Sequence, residues 1–383
     1  MSAKRADRDD RKFLGLALAL AARGAGQTTP NPMVGAVLVR DGRVVGQGYH
    51  TRAGAPHAEA VALAQAGRRA RGAVLYVNLE PCCHFGRTPP CVDALIGAGV
   101  REVVASMRDP DPRVRGRGFR ALRAAGVRVW TGPLVGAARR LNREFVRRTA
   151  AGRPFVTLKA GMSLDGRIAT RSGESKWITS ARARAAGRVL RSEHDAVLVG
   201  VNTVLRDDPR LTARSGRKRR EADSAFARPV RVVLDARLRT PPRARLLSNG
   251  GPPVIVMTLH GASAARRRRL EEKGALVIEA PGQNGRIAVG SALRELSRRG
   301  IASVLVEGGS EVLGSLLDAR LADRIVLFVA GSLLGGRGAV PVFGGRGTGR
   351  LSHAARMERI TVRPIGPDYR IEGTLRFPRS GGK

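Results

Sequence analysis

Cys82, Cys83 and Cys91 are the only cysteines among 383 residues, and all three fall within one stretch of ten. An odd, clustered set in a long chain makes a poor disulfide framework and a good metal or nucleophile site. Upstream stands Pro56-His57-Ala58-Glu59, and the cysteines sit in Glu80-Pro81-Cys82-Cys83-His84-Phe85-Gly86-Arg87-Thr88-Pro89-Pro90-Cys91. One histidine and two cysteines supply three zinc ligands and leave a fourth tetrahedral position open, which is the catalytic and not the closed structural pattern. Glu59, two residues from His57, is placed to move a proton between water and a leaving amine without binding metal. The pattern follows the general H-x-E…P-C-x-x-C signature of zinc deaminases. The spacing from Cys82 to Cys91 is wider than that signature's two-residue spacer. Cys83 is read as the non-ligand, because Cys82 holds the position after Pro81. His84 either faces substrate or supports the loop.

Local patterns place these residues. Val34–Arg40 and Arg43–Tyr49 are apolar runs around Asp41-Gly42, a type I′ hairpin signal. The Ala/Leu/Val spacing from Pro56 to Gly67 predicts a helix with His57 and Glu59 in its first turn. Ala73–Leu79 is a buried-strand candidate that ends just before Cys82, and Cys91 opens a further helix. Glu102–Ser106, Gly118–Ala125 and Val127–Trp130 continue a strand–helix–strand alternation, predicting a mixed sheet covered by helices.

Near residue 150 the pattern starts afresh. Leu134–Arg148 reads as one basic amphipathic helix and 149–154 as a connector, followed by strand Phe155–Ala160. Strand-like runs at Asp195–Val201, Val230–Leu234, Val254–Thr258, Ser303–Glu307 and Arg324–Val329 alternate with helical runs at Ser180–Ser192, Gly261–Lys273 and Ser291–Arg299. This is a second α/β domain. Ser215–Ala227 reads as a polar surface loop, and Arg266–Arg269 as the wet face of a helix. Three glycine-containing turns, Val306–Val312, Gly200–Pro209 and Ser163–Arg167, could meet phosphate. None is G-x-G-x-x-G, so a Rossmann fingerprint is absent.

Charge tests a different reading. The formal net charge is +38, with only seven lysines among 69 basic residues. The excess is +15 over residues 1–150 and +23 over 151–383, so it is no tail. Aromatics are 4%, too few for stacking platforms on single-stranded nucleic acid. The expectation is an arginine-rich background that leaves a solvated basic surface, with recruitment of phosphorylated small molecules as the second reading and no nucleic-acid partner. No run reaches the roughly 18 apolar residues of a membrane span, and no signal peptide is evident, so a cytoplasmic protein is expected.

Taken together, these residues resemble the bifunctional deaminase–reductase family of bacterial riboflavin biosynthesis, over nearly the whole chain. In the first half the resemblance rests on Thr29-Pro30-Asn31-Pro32 with Val34-Gly35, on His57-Ala58-Glu59, and on Glu80-Pro81-Cys82 through Pro89-Pro90-Cys91. In the second it rests on Ser163-Leu164-Asp165-Gly166, Ser172 to Ser175 with Trp177 to Ser180, Gly200 through Pro209, and Glu307-Gly308-Gly309. It implies a cytidine-deaminase-like three-layer α/β/α domain over residues 1–149 and a dihydrofolate-reductase-like α/β domain over 150–383. The first would carry out zinc-hydroxide hydrolytic deamination of 2,5-diamino-6-(5-phosphoribosylamino)pyrimidin-4-one. The second would use NADPH to reduce the ribosyl group of 5-amino-6-(5-phosphoribosylamino)uracil to ribityl.

Carried over by motif position, His57, Cys82 and Cys91 would hold Zn2+ and Glu59 would be the catalytic acid–base. Gly161, Trp177, Thr203, Asp207, Gly309, Ser310, Glu311, Val312, Leu313, Gly314 and Ser315 would bind NADPH. Ser175, Arg191, Leu211, Arg214 and Glu307 would face the phosphoribosyl substrate, with Asn31, His84 and Lys159 as further candidates. Exposed sheets in the reductase half point to a homodimer or tetramer. The chain carries Asp109-Pro110-Asp111-Pro112 where the family it resembles often has Asp-Pro-Asn-Pro. Asp111 exchanges a possible donor for a pure acceptor, and Arg113 or Arg115 could offset its charge. Two rival readings stand beside this one: a deaminase with an inactive reductase half, and a basic RNA-binding protein on a deaminase fold.

Overall fold

The computed structural model describes residues 3–85, 89–213, 229–248 and 253–378. Among these, the chain forms two compact units, one ending at Gly152 and the other beginning at Arg153.

The first unit is built on a five-stranded sheet of β1 (Gly35–Arg40), β2 (Arg43–Tyr49), β3 (Val74–Val77), β4 (Glu102–Ala105) and β5 (Arg128–Thr131), in the order β2-β1-β3-β4-β5. β1 runs antiparallel to β2 and β3, and β3, β4 and β5 are parallel. Asp41 (φ 51°) and Gly42 (φ 75°) form the left-handed pair that a type I′ turn requires. Period-two alternation sends successive side chains to opposite faces. Ala36 and Leu38 pack with Ala58, Ala62, Leu95 and Leu122 on one side, and Val37 and Val39 with Phe13, Leu14 and Ala17 on the other. The result is a helix–sheet–helix sandwich: α1 (Ala3–Ala22) covers one face, and α2 (Ala58–Ala66), α3 (Cys91–Gly97) and α4 (Arg117–Ala124) the other. Gly46 lets α2 lie against β2, since a Cβ there would sit 2.2 Å from the Ala62 carbonyl oxygen.

The stretch 134–148 departs from the single helix its pattern predicts. It forms two helices, Val135–Leu141 and Arg143–Ala151, broken at Asn142. The Asn142 side chain is held by Met33, accepting from its N–H at 2.7 Å and donating to its carbonyl at 2.9 Å. The second of these helices also takes in Thr149, Ala150 and Ala151, where the sequence suggests a connector, and stops at Gly152 in the left-handed conformation.

The second unit opens with Arg153 locked to Asp323 by two buried hydrogen bonds of 2.7 and 3.0 Å. Its nine-stranded sheet runs, edge to edge, through Ala275–Glu279, Val254–Thr258, Val230–Leu234, Ala196–Gly200, Ser303–Val306, Phe155–Met162, Arg324–Val329, Asp368–Arg376 and Arg356–Ile365. The first seven are mutually parallel and the last two close the sheet as an antiparallel hairpin. Helices cover both faces of the parallel part, as such strands require. Val232, Leu198 and Val304 face one cluster, while Val233, Val197 and Val199 face another. Arg266–Arg269 lies on helix Ala264–Glu271, whose only buried residue is Leu270. The 215–227 loop and Arg214 lie outside the described residues.

Candidate active sites

In the first unit three backbone segments meet at one point. His57 is the residue immediately before α2, Cys82 lies in the loop after β3, and Cys91 is the first residue of α3. His57 Nδ1 lies 3.2 Å from Cys91 Sγ and 3.5 Å from Cys82 Sγ. All three donor atoms fall within 4.8 Å of one another. On a tetrahedron with Zn–S of about 2.3 Å and Zn–N of about 2.0 Å, nitrogen and sulfur ligands stand about 3.6 Å apart, so the set fits zinc. The Cys91 N–H also donates to Cys82 Sγ at 3.3 Å, a contact that orients the sulfur and steadies its thiolate. The Cys91 side chain first, then His57 and the Cys91 N–H, hold the Cys82 thiol well below its ordinary range. His57 is pushed up, chiefly by its contact with that sulfur. Cys83 stands apart, with its thiol raised by burial and its sulfur 3.9 Å from the Arg113 carbonyl.

Glu59 sits in the first turn of α2 and is 4% exposed. Burial, reinforced by the Cys82 sulfur charge, raises its carboxyl to about 7. His57, Cys82 and Glu59 line a cavity of about 280 Å³. Asn31 and His84 line it too. His84 Nδ1 is buried and finds no hydrogen-bond partner among the described residues. Asn31 Nδ2 donates to His50 Nε2 at 3.1 Å, and His50 Nδ1 contacts the Pro56 carbonyl at 3.2 Å. Burial lowers His50 and keeps it neutral, which fits an Nδ1–H tautomer donating to Pro56.

His50 and Asp109 both line this cavity; the sequence does not point to His50, and it names Asp109 only as part of the Asp-Pro-Asp-Pro loop and not as a site residue. No spacing links them to the cysteines: His50 follows β2, and Asp109 lies in the loop after β4. That loop is pinned by Glu80, whose buried carboxylate accepts the N–H groups of Asp109 (3.2 Å), Gly116 (2.9 Å) and Phe119 (3.1 Å). Burial raises Asp109 to about 7. Asp111 is answered by Arg113, whose guanidinium meets both carboxylate oxygens at 2.7–3.2 Å. The offsetting charge expected at the Asp-Pro-Asp-Pro loop is therefore in place.

In the second unit a cavity of about 800 Å³ opens at the C-terminal ends of strands Ala196–Gly200 and Val230–Leu234, where ligands of parallel sheets bind. Ser175, Thr203, Asp207, Gly309, Ser310, Glu311, Val312 and Ser315 line it. Helix Ser310–Asp318 begins at its wall. Leu313 and Gly314 lie on that helix's inner face: Leu313 is 1% exposed, and a Cβ on Gly314 would stand 1.9 Å from the Gly344 carbonyl oxygen. Gly161 faces the Thr179 side chain, and Trp177 is 69% exposed with the Arg184 guanidinium 4.1 Å over its ring.

Arg191 and Glu307 meet each other in a forked pair, Nε to Oε1 and Nη2 to Oε2 both at 2.7 Å. Burial pushes the Glu307 carboxyl up, but the charges of Lys159 and Arg191 outweigh it and hold it below its ordinary value. Leu211 is 1% exposed and part of the hydrophobic core. The Ser163–Arg167 turn serves the fold, because Asp165 accepts from Ser163 Oγ and from the N–H groups of Leu334 and Gly335.

A His/Cys/Cys donor set beside a buried glutamate, on a mixed three-layer sheet, defines the class of zinc-dependent deaminases; here it is joined to a unit with a second, larger cavity. Comparison with known proteins narrows this. Residues 7–107 match the cytidine and deoxycytidylate deaminase zinc-binding region, and residues 154–371 match the RibD C-terminal domain. The chain is 42% identical to the riboflavin biosynthesis protein RibD of Aquifex aeolicus over 362 residues, covering 94% of this chain and 97% of that one. It is 42% identical to RibD of Escherichia coli over 366 residues, with the same coverage. A solved structure of Acinetobacter baumannii RibD, form 2, superimposes with a TM-score of 0.84 at 37% identity, covering 96% and 99% of the two chains. A Thermotoga maritima diaminohydroxyphosphoribosylaminopyrimidine deaminase/5-amino-6-(5-phosphoribosylamino)uracil reductase gives 0.79 at 35%, covering 97% and 99%.

The chain belongs to the RibD family of bifunctional deaminase–reductases of riboflavin biosynthesis. Zinc serves the deaminase region and NADPH the reductase domain, and the substrates are small phosphorylated pyrimidines. Both halves match in order, which supports the bifunctional reading over its two rivals. Among the described residues no helix is long and apolar enough to cross a membrane.

Proposed function

We propose that residues 1–149 deaminate 2,5-diamino-6-(5-phosphoribosylamino)pyrimidin-4-one and that residues 150–383 then reduce the ribosyl group of the product to ribityl. The observation that carries the first step is the convergence of His57, Cys82 and Cys91, with buried Glu59, His57 and Cys82 lining one cavity. In this reading those three residues hold zinc. When bound, zinc supplies the Lewis acidity that makes water a nucleophile near neutral pH. Glu59 takes a proton from the attacking water as the new C–O bond forms. It returns that proton to the exocyclic nitrogen as the C–N bond breaks, and ammonia leaves. A carboxyl buried against apolar wall releases and recovers a proton more evenly than an exposed one, because neither state is strongly favoured. His84 and Asn31 face the ring from the same cavity.

For the second step, NADPH supplies the two electrons, and the protein positions and polarises. Ser310 through Ser315 would cradle the diphosphate at a helix start, with Gly309 leading in. Thr203 and Asp207 would flank it, and Gly161 and Trp177 would bound the nicotinamide end. Ser175, Arg214 and the Arg191–Glu307 pair would face the phosphoribosyl chain. Arg191 spends Nε and Nη2 on Glu307 and donates from Nη1 to the Thr212 carbonyl, so it acts by fixing Glu307. Lys159 adds a positive charge beside that carboxylate.

The reading also places the protein in the cytoplasm as a homo-oligomer, a dimer or tetramer. In its favour, the ten-residue strand Arg356–Ile365 lies at the sheet edge with Ile360 and Val362 more than half exposed. Such an edge calls for a covering partner.

A coupled assay tests the function. With zinc-replete protein, diaminopyrimidine ribotide and NADPH, nicotinamide absorbance should fall only after ammonia appears. Absorbance loss without ammonia release would overturn the order of steps. Metal analysis of the Cys82→Ser/Cys91→Ser double variant should show zinc lost, and retained zinc would overturn the ligand set.

A further inference from the structure

Glu80 stands two residues before Cys82 and is 3% exposed, yet neither zinc binding nor the proton transfer described above employs its carboxylate. Among the described residues no lysine or arginine pairs with it. A carboxylate buried without a cation is tolerated only where hydrogen bonds answer it. Three backbone N–H groups do so here. Oε2 accepts from Asp109 at 3.2 Å and from Gly116 at 2.9 Å, and Oε1 accepts from Phe119 at 3.1 Å. The donors lie 29, 36 and 39 positions further along the chain, so this is no local turn.

All three donors belong to the stretch that leads from the loop after β4 into α4. Gly116 is the residue before α4 and has no side chain with which to cap it. Its backbone is left-handed (φ 77°), a conformation open to glycine and costly for most other residues. Phe119 is the third residue of α4, and the N–H at that position is a usual partner of a capping side chain. Glu80 therefore caps α4 from a distance, with its charge at the positive end of the helix dipole. The first turn of α4 also rests on the neighbouring backbone, since a Cβ on Gly118 would stand 2.2 Å from the Pro81 carbonyl oxygen. At the other end of the loop, the Glu80 N–H donates to the Met107 carbonyl at 3.0 Å.

Glu80 thus ties two segments together, and both line the first unit's cavity. Cys82 and His84 reach it from the ligand-bearing segment, and Asp109, Asp111 and Val114 from the loop. We infer that Glu80 is a positioning residue for deamination: its carboxylate fixes the loop wall against the zinc-ligand wall and so sets how the substrate ring lies over the donor set. The inference rests on the deaminase reading proposed above. A carboxylate suits the task because it accepts at both oxygens and donates at neither. Glutamine would keep one acceptor oxygen and turn an NH2 group toward one set of backbone donors, leaving a buried N–H without an acceptor.

Steady-state kinetics on the full-length zinc protein with diaminopyrimidine ribotide test this. Glu80→Gln should raise KM and lower kcat, reducing kcat/KM for deamination by about 10- to 100-fold, within the cost of displacing a bound substrate by an ångström. Zinc content should stay at wild type, and NADPH-dependent reduction of separately supplied deaminated intermediate should be unchanged. Glu80→Asp keeps the charge on a shorter stem and should lose less of kcat/KM than Glu80→Gln; if Glu80→Gln does not fold, Glu80→Asp carries the same test, with KM raised and zinc retained. A merely structural role would reduce the amount of active protein and leave its KM unchanged, so a fall in kcat alone would overturn the inference. Zinc lost in step with activity, or an unchanged kcat/KM, would overturn it too. A wild type that releases no ammonia would instead overturn the deaminase reading beneath it.

Discussion

The two sites solve their chemical problems with different economies of residues. In the first unit four side chains, His57, Glu59, Cys82 and Cys91, come from two short motifs and meet within a few ångströms. A metal concentrates the chemistry, so the protein must supply particular donor atoms in a particular arrangement. In the second unit the wall of the cavity draws on residues from 168 to 344, and most of them are glycines, small polar residues and arginines. There the cofactor carries the reaction, and the protein supplies shape and charge. Single substitutions should therefore act steeply and locally in the first site, and gradually in the second.

The sharpest way to break that contrast is Glu59→Gln. It removes the proton carrier and keeps the shape. Deamination should fall by about 10²- to 10⁴-fold, the usual worth of a positioned acid–base group. Zinc content should stay at wild type, and reduction of the separately supplied deaminated intermediate should be unaffected. An unchanged rate of ammonia release would show that the proton moves through another group. Loss of the reductase step would show that the two units do not work independently.

In the second unit the largest effect should come from a pair and not from a lone donor. Arg191 and Glu307 are 16% and 8% exposed in their side chains. Arg191→Ala would strand a buried carboxylate, with Lys159 as partial compensation. We expect about 2–3 kcal/mol of lost stability in denaturant unfolding, somewhat below the usual cost of halving a buried pair. The pH dependence gives an independent check. Glu307 is held below its ordinary value in the folded state, so its stabilisation is present above the unfolded carboxyl value of about 4.3 and is lost as pH falls through the folded one. Without Arg191, burial weighs more, the folded value rises, and the loss on acidification should shrink. An identical acid limb in the variant would assign the effect to other carboxylates.

The same contrast decides what could be read from the chain. The donor set was legible because few residue types bind zinc, and local periodicity placed each of them at the end of a helix or strand. The hairpin at Asp41-Gly42 was legible because type I′ turns demand left-handed residues. His50 and Asp109 were not, since only the closed sheet brings the end of β2 and the loop after β4 beside His57. Nor was the break at Asn142: its cause is a pair of hydrogen bonds to Met33, 109 positions earlier, and no local pattern records it. In the second unit the parallel strands announced themselves as apolar runs. The closing hairpin of Arg356–Ile365 and Asp368–Arg376 did not, because its outer strand is exposed almost throughout and lacks alternation. The sequence proposes Arg191 as a residue facing substrate, but its partnership with Glu307, which spans 116 positions, has no local signal.

The smallest expected effect tests whether steepness in the first site extends to its rim. Asp111 lines the cavity of the first unit. Its carboxylate accepts from Arg113 N–H at 2.9 Å and is bracketed by the same residue's guanidinium. That contact holds Asp111 below its ordinary value. Arg113 is 71% exposed, so the pair should contribute less than about 1 kcal/mol. Asp111→Asn keeps an acceptor oxygen for the Arg113 N–H and frees the guanidinium. Deaminase kcat/KM should then change by less than about threefold and stability by less than about 1 kcal/mol. A tenfold change in kcat/KM with unchanged stability would place Asp111 itself against the substrate, and the first site's dependence on single side chains would reach beyond its zinc ligands and Glu59.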